Sequence, residues 1–110
     1  MLHETTTIYV RALELNAVAA RTIRGLPGGF GFLADQLRRA ASSVALNFAE
    51  GNGYPDGRQR ANCFRIARGS AKEVAAILDV AAQYDVVAPE LRESGKKLCD
   101  ELGAMLYRWK

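Results

Sequence analysis

Apolar residues recur at every third or fourth position through most of this chain, and that period constrains the fold more than any other feature. It extends over four segments, at about residues 6–24, 32–50, 56–84 and 89–109. A period of 3.6 residues places apolar side chains along one face of an α-helix, whereas a half-buried strand needs alternation of apolar and polar residues. No sustained alternation occurs in the sequence, so the pattern predicts an all-α protein.

Three short joints separate the four segments. Residues 25–29 and 51–55 contain glycine and proline, which disfavour a continuing helix, and Pro89 suits the first position of a new one. Helices joined by short loops fold back antiparallel on their neighbours. The sequence therefore predicts a single domain over residues 1–110, an antiparallel up-down-up-down four-helix bundle. A pair of helical hairpins that completes its core by oligomerising is the alternative.

A few residues predict how the helices begin, end and pack. The threonines at 5–7 offer N-cap hydroxyls to the first helix, and Asp56 with Gln59 has the spacing of a capping box for the third. Gly51 is placed to end the second helix in a positive-φ conformation. Gly69 interrupts the third helix, where a glycine usually marks close approach of another backbone.

Composition excludes several classes of protein. At 110 residues, 49% hydrophobic and 25% charged, the chain is typical of a globular protein, and it has neither an apolar run that spans a membrane nor a secretory signal. A cytoplasmic location is expected. Two cysteines, Cys63 and Cys99, and one histidine, His3, share no metal-ligand or catalytic spacing. Free thiols, no metal and no cofactor are expected.

Basic residues concentrate in the predicted third helix, although the formal net charge is only +3. Residues 58–72 contain no acid, and a seven-residue spacing puts Arg58, Arg65 and Lys72 on one face. Such a stripe fits the phosphates of nucleic acid. A solvated face, or one that pairs with carboxylates, is the alternative, and Arg21 and Arg24 could extend the patch. The candidate nucleic-acid-binding residues are Arg38, Arg39, Arg58, Arg65, Arg68 and Lys72.

Polar residues beside the apolar stripes of the second and third segments form a candidate structural motif. Its members are Asn47, Glu50, Gly51, Gly69, Ser70 and Glu73. We expect them to fix the register of the two helices, with Arg38 or Arg39 close to one of the carboxylates because a buried carboxylate needs a partner. No nucleophile, metal ligand or general-base histidine accompanies the carboxylates, so the sequence predicts a protein that is not an enzyme.

Two stretches, QLRRAASSVALNFAEGNG at 36–53 and NCFRIARGSAKEV at 62–74, resemble a known bacterial family. Its typical pattern is QxRRAAxSIxxNIAEGxGR followed by RFxxIAxGSxxE. The matching residues are Gln36, Arg38, Arg39, Ala40, Ala41, Ser43, Asn47, Ala49, Glu50, Gly51 and Gly53, then Ile66, Ala67, Gly69, Ser70 and Glu73, with Phe64 one position after the phenylalanine of the pattern. Over about residues 13–106, the chain is similar to the four-helix-bundle proteins first met as products of intervening sequences in 23S ribosomal RNA genes.

That resemblance carries its own implications. Several members of the family assemble as homopentameric rings. The accessory protein of diversity-generating retroelements belongs to it, and that protein has a basic surface, binds nucleic acid and partners a reverse transcriptase. The chain departs from the family pattern at Tyr54, where an arginine is usual, which argues against a phosphate contact at that joint.

Apolar residues beyond the stripes predict self-association. The first segment adds Tyr9, Val10, Leu13, Ala17 and Val18, and the fourth carries Leu106, Tyr107 and Trp109 near its end. Exposed apolar patches of this kind mark interfaces. We expect a homo-oligomer, and a pentamer on the resemblance alone. The functional hypothesis is a non-enzymatic oligomeric bundle that binds nucleic acid non-specifically; the alternative is a structural or protein-interaction module that does not bind nucleic acid itself.

Overall fold

A computed structural model describes residues 2–108, with side chains from residue 5 onward. The four helices are α1 (Leu2–Gly25), α2 (Gly31–Gly53), α3 (Arg58–Gln83) and α4 (Pro89–Arg108). No strand occurs within residues 2–108. The all-α prediction is confirmed, and the predicted segments agree with the helices to within a few residues.

The helices pack as a closed ring around one core. α1 contacts α2 and α4, and α3 contacts the same two helices, while the diagonal pairs do not pack on each other within the described part of the chain. Consecutive neighbours joined by short loops run antiparallel, which gives the predicted up-down-up-down bundle. It measures 44 × 21 × 17 Å, so its long axis is close to the length of one helix.

Apolar stripes from all four helices fill this core. Phe48 of α2 and Phe64 of α3 stack with ring centroids 5.4 Å apart, and both are almost fully buried. Val18 and Leu106 also lie in the core, where they are 7% and 1% exposed. The prediction that these two residues add to an exposed apolar surface is therefore wrong. Trp109 lies outside the described residues. No helix in the described range is long and apolar enough to cross a membrane.

Two predicted helix starts differ from the structure. The threonines at 5–7 lie inside α1, which already includes Leu2, so they are not its N-cap. The N-cap of α3 is Gly57, with φ +143°, and no side chain caps this helix. Asp56 instead lies 3.8 Å from the Arg60 guanidinium. The capping box does not form because a glycine in an unusual backbone conformation makes the turn instead.

Two glycines, Gly51 and Gly69, do not have the roles that the sequence predicts for them. Gly51 is helical and buried, and a Cβ there would lie 2.7 Å from Cε1 of Phe64 and 2.8 Å from Cβ of Cys63. It therefore permits close approach of α2 to α3 rather than ending α2. Gly69 is exposed with nothing within 4 Å of its Cβ position, so it is not a packing glycine. Gly95 is a packing glycine, because a Cβ there would lie 2.5 Å from Cδ1 of Leu78.

Candidate nucleic-acid interface

The basic stripe predicted on α3 exists as an exposed line. Arg58, Arg65 and Lys72 are all exposed, and two helical turns separate each from the next. The line is about 21 Å long at 1.5 Å per residue. Arg65 donates a hydrogen bond to Oδ1 of Asn62 at 2.7 Å, a neutral partner that leaves its charge uncompensated. We call these three residues the α3 basic stripe.

Arg60 belongs to the same acid-free stretch but points inward. Its side chain is 16% exposed, and its guanidinium carbon lies 5.2 Å from the centroid of the Phe64 ring. It also donates to the carbonyl oxygen of Tyr54 at 3.2 Å. Arg60 thus ties the α2–α3 joint to the core, and its charge is not part of the outward stripe.

Arg68 turns from the stripe toward α4. Its guanidinium carbon lies 5.1 Å from the centroid of the Tyr107 ring, a cation–π distance. Beside this pair lies an open groove between α3 and α4, lined by Arg68, Lys72, Gly103, Ala104, Tyr107 and Arg108. The α4 members escaped prediction because no pattern in the sequence fixes which turn of α4 lies opposite Arg68.

An ion-pair cluster shows the relative register of α3 and α4. Oδ1 of Asp79 on α3 accepts hydrogen bonds from Nζ of Lys96 at 2.7 Å and from Nη2 and Nε of Arg92 at 2.8 and 3.1 Å. The bonds from Lys96 and Arg92 lower the pKa of the Asp79 carboxyl. Because the helices are antiparallel, this pairing brings the last turn of α4 level with the middle of α3.

The other arginines that the sequence suggested for the nucleic-acid interface lie on α1 and α2, apart from the α3 basic stripe. Nη1 of Arg38 donates to Oδ1 of Asp35, one turn earlier on α2, at 3.1 Å. The expected ion pair between Arg38 and a carboxylate of a neighbouring helix is therefore wrong, since a carboxylate on its own helix is closer. Arg39 is exposed beside them on α2. Arg21 and Arg24 belong to α1, the helix diagonal to α3, and cannot extend the stripe.

The polar motif separates into an inner group and outer residues. Nδ2 of Asn47 donates to the carbonyl oxygen and to Oγ of Ser43, at 3.0 and 2.9 Å. Oγ of Ser70 donates to the same Ser43 Oγ at 2.8 Å. Ser43 therefore joins Asn47 of α2 to Ser70 of α3. It was not singled out as a motif member, although its spacing of four from Asn47 on one helix is a readable signal.

The two carboxylates of the motif lie outside this inner group. Glu50 accepts a hydrogen bond from the Tyr54 hydroxyl at 3.2 Å, and this bond, with the glutamate charge, raises the pKa of Tyr54. Glu73 is exposed on α3. Because Glu73 is not buried, it does not need Arg38 or Arg39 as a partner.

The two cysteines are buried free thiols, as predicted. Burial raises the pKa of Cys99 to about 12, and burial together with the Glu50 charge raises the pKa of Cys63. Both thiols therefore stay protonated and are poor nucleophiles. No group of three potential metal ligands occurs among the described residues, which do not include the side chain of His3.

Comparison with known proteins decides the family. The family model described as 23S rRNA-intervening sequence protein matches residues 3–108. The chain belongs to this family. A crystal structure of a protein of unknown function from the S23 ribosomal protein family of Bacteroides thetaiotaomicron is similar in fold, with a TM-score of 0.86 and 18% identity over 96% of each chain. No curated protein matches the sequence significantly.

This member of the 23S rRNA-intervening sequence protein family also exposes large apolar side chains. Tyr9, Val10 and Leu13 of α1 are 42–46% exposed, and Leu46 of α2 is 68% exposed. A groove brings Asn16 of α1 beside Ser42 of α2. In antiparallel helices, one further turn on each places Leu13 level with Leu46. These four apolar residues, Tyr9, Val10, Leu13 and Leu46, are called the α1–α2 apolar patch below.

Proposed function

We propose that this protein is a non-enzymatic, oligomeric helical bundle that binds the phosphate backbone of nucleic acid through the α3 basic stripe. One observation carries the proposal. Arg58, Arg65 and Lys72 share an outward face, and none of them makes an ion pair among the described residues. Cations that served only the fold would be expected to have carboxylate partners, as Arg92 and Lys96 do.

Binding through such a stripe needs no base recognition. Successive cations of the stripe are about 10 Å apart, which spans a few phosphates of a strand. Each contact releases condensed counterions, so the affinity falls steeply as salt rises. Contacts of this kind position a protein on nucleic acid without carrying sequence information. The proposal therefore predicts similar binding to unrelated sequences.

Self-association supplies the multivalency that weak phosphate contacts need. The α1–α2 apolar patch lies on α1 and α2 and offers a surface for a second copy. Identical subunits usually assemble with closed symmetry, which would repeat the basic stripe around the assembly. Five subunits, and a reverse transcriptase as partner, are supported only by the resemblance to the retroelement accessory protein.

A second candidate function is a protein-interaction module without nucleic-acid binding. The same α1–α2 apolar patch favours it, because an exposed apolar surface fits a protein partner as well as a second copy. In that case the α3 basic stripe would serve solubility or subunit contacts.

Gel-shift titration of the purified protein with generic RNA and DNA separates the two candidates. We expect binding to both at about 50 mM salt and strong weakening at about 200 mM, because counterion release dominates. Absence of any shift at low salt would reject the nucleic-acid proposal and favour the interaction module.

A further inference from the structure

The α3–α4 groove differs from the α3 basic stripe because it contains an aromatic ring. Its lining has three cations, Arg68, Lys72 and Arg108, and no carboxylate. The Tyr107 ring stands among them and is 57% exposed. The groove therefore presents an exposed aromatic ring beside positive charge.

The Arg68–Tyr107 contact preorganises a site for a phosphate. With its guanidinium held 5.1 Å from the ring centroid, Arg68 loses less side-chain freedom on binding than an arginine free in water. Lys72 lies one turn further along α3, about 6 Å away along the axis. Among the described residues no carboxylate pairs with either cation, so both charges remain available to an anion.

Gly103 leaves the floor of the groove open. Nothing lies within 4 Å of the position where its Cβ would be, so packing does not require a glycine there. A glycine inside a helix costs about 1 kcal/mol relative to alanine, so Gly103 does not stabilise α4. Its missing side chain leaves this part of the groove lining open.

From this arrangement we infer that the α3–α4 groove binds single-stranded nucleic acid, with Arg68 and Lys72 on the phosphates and a base stacked on Tyr107. The inference rests on the proposed function and adds the strand type to it. An aromatic ring within a positively charged groove is how proteins hold single strands without sequence preference. In a duplex the bases are stacked inside the helix and cannot reach the ring, so Tyr107 should favour single strands only.

The test uses the full-length protein and three probes: an oligo-dT strand of about 12 nucleotides, the same strand with abasic sites in place of the bases, and a duplex of equal length. We expect the wild-type protein to bind oligo-dT about fivefold or more tightly than the abasic strand, because the abasic strand keeps the phosphates and loses the stacking. Tyr107→Leu should abolish this preference, and Tyr107→Phe should retain it.

Two further variants separate stacking from other effects. Gly103→Leu fills the groove without changing charge and should weaken binding of oligo-dT, while Tyr84→Leu removes an exposed tyrosine at the far end of α3 and should leave it unchanged. Equal wild-type affinity for oligo-dT and the abasic strand would overturn the inference and leave the proposed function standing. Failure to bind any of the three probes would overturn both.

Discussion

The outer surfaces of the two halves of the bundle differ, although their inner surfaces are alike. The α1–α2 half presents the α1–α2 apolar patch, and the α3–α4 half presents the α3 basic stripe and the groove beside it. Towards the core, all four helices contribute buried apolar residues to one cluster. The core therefore explains the bundle but not the difference between its two sides.

Neither outer surface is needed to form the bundle. Exposed apolar residues gain nothing until something covers them, and neighbouring like charges repel one another. We therefore expect that residues of either surface can be substituted while the fold is retained. We therefore propose that the α1–α2 half serves self-association and the α3–α4 half nucleic-acid binding.

The largest expected effect follows from charging the apolar side. Leu13→Glu combined with Leu46→Glu should reduce the oligomer to a monomer of about 12.0 kDa, because burying carboxylates in an apolar interface is costly. Sedimentation velocity measures the mass, and circular dichroism checks that the helices remain. Val80→Glu, which alters an exposed apolar residue of α3, is the matched control and should keep the oligomer. A variant mass equal to the wild-type mass would contradict the assignment.

Gly51 lies in the contact between α2 and α3, whereas Gly69 lies on the exposed surface of α3, so alanine should have opposite effects on stability at the two positions. Gly51→Ala should lower the free energy of unfolding by about 1–3 kcal/mol, since its Cβ would overlap Cβ of Cys63 and the ring of Phe64. Gly69→Ala meets no atom and should raise it by about 0.5–1 kcal/mol through helix propensity. Urea denaturation of both variants checks this. A stabilised Gly51→Ala would show that the contact is looser than described.

The inner polar group should matter more than the exposed carboxylate near it. Ser70→Ala removes the hydrogen bond to Ser43 between α2 and α3 and should cost about 1 kcal/mol. Glu73→Ala, three residues away on the exposed surface, should change stability by less than about 0.5 kcal/mol. Melting temperatures of the two variants compare them directly. The reverse order would mean that Glu73 has a structural partner.

The smallest expected effect concerns the Asp79 cluster of the α3–α4 half. Its hydrogen bonds to Lys96 and Arg92 lower the pKa of Asp79, so the folded state favours the ionised form. The contribution is present above the unfolded pKa of about 3.9 and disappears as pH falls through the lower folded value. Asp79→Asn should therefore lower the free energy of unfolding by at most about 1 kcal/mol at pH 7, because the pair is partly exposed, and by progressively less as the pH falls below the unfolded pKa. If the difference in free energy of unfolding between the wild type and Asp79→Asn did not change with pH, it would indicate lost packing instead of a lost charge interaction.

The sequence predicts the fold well because apolar periodicity and short joints leave few other arrangements for four helices. It also predicts the α3 basic stripe, since a seven-residue spacing on one helix fixes which side chains share a face. Arg60 shows the limit of that reasoning. Its position in the acid-free stretch is visible in the sequence, but the Phe64 ring that draws it inward is a tertiary contact.

Features that depend on two helices at once could not be predicted. The sequence predicts a helix end at Gly51 and close packing at Gly69, but it is Gly51 that lies where α3 approaches within van der Waals contact. Tyr107 reaches Arg68 because of the register of α4 on α3, which the ion pairs of Asp79 with Arg92 and Lys96 share. Helix periodicity defines the inner face of each helix and carries no information on its axial position relative to a neighbour.

The most direct test of the division between the two halves is the salt dependence of single-strand binding by two matched double variants. Arg65→Gln with Lys72→Gln removes two cations from α3, and Arg21→Gln with Arg24→Gln removes two exposed cations from α1. Both variants lose the same net charge. The slope of log Kobs against log salt should fall in magnitude by about 1.4 for the α3 variant and stay at the wild-type value for the α1 variant. Equal reductions in the two slopes would show that overall charge, not the α3 face, governs binding, and would contradict the account.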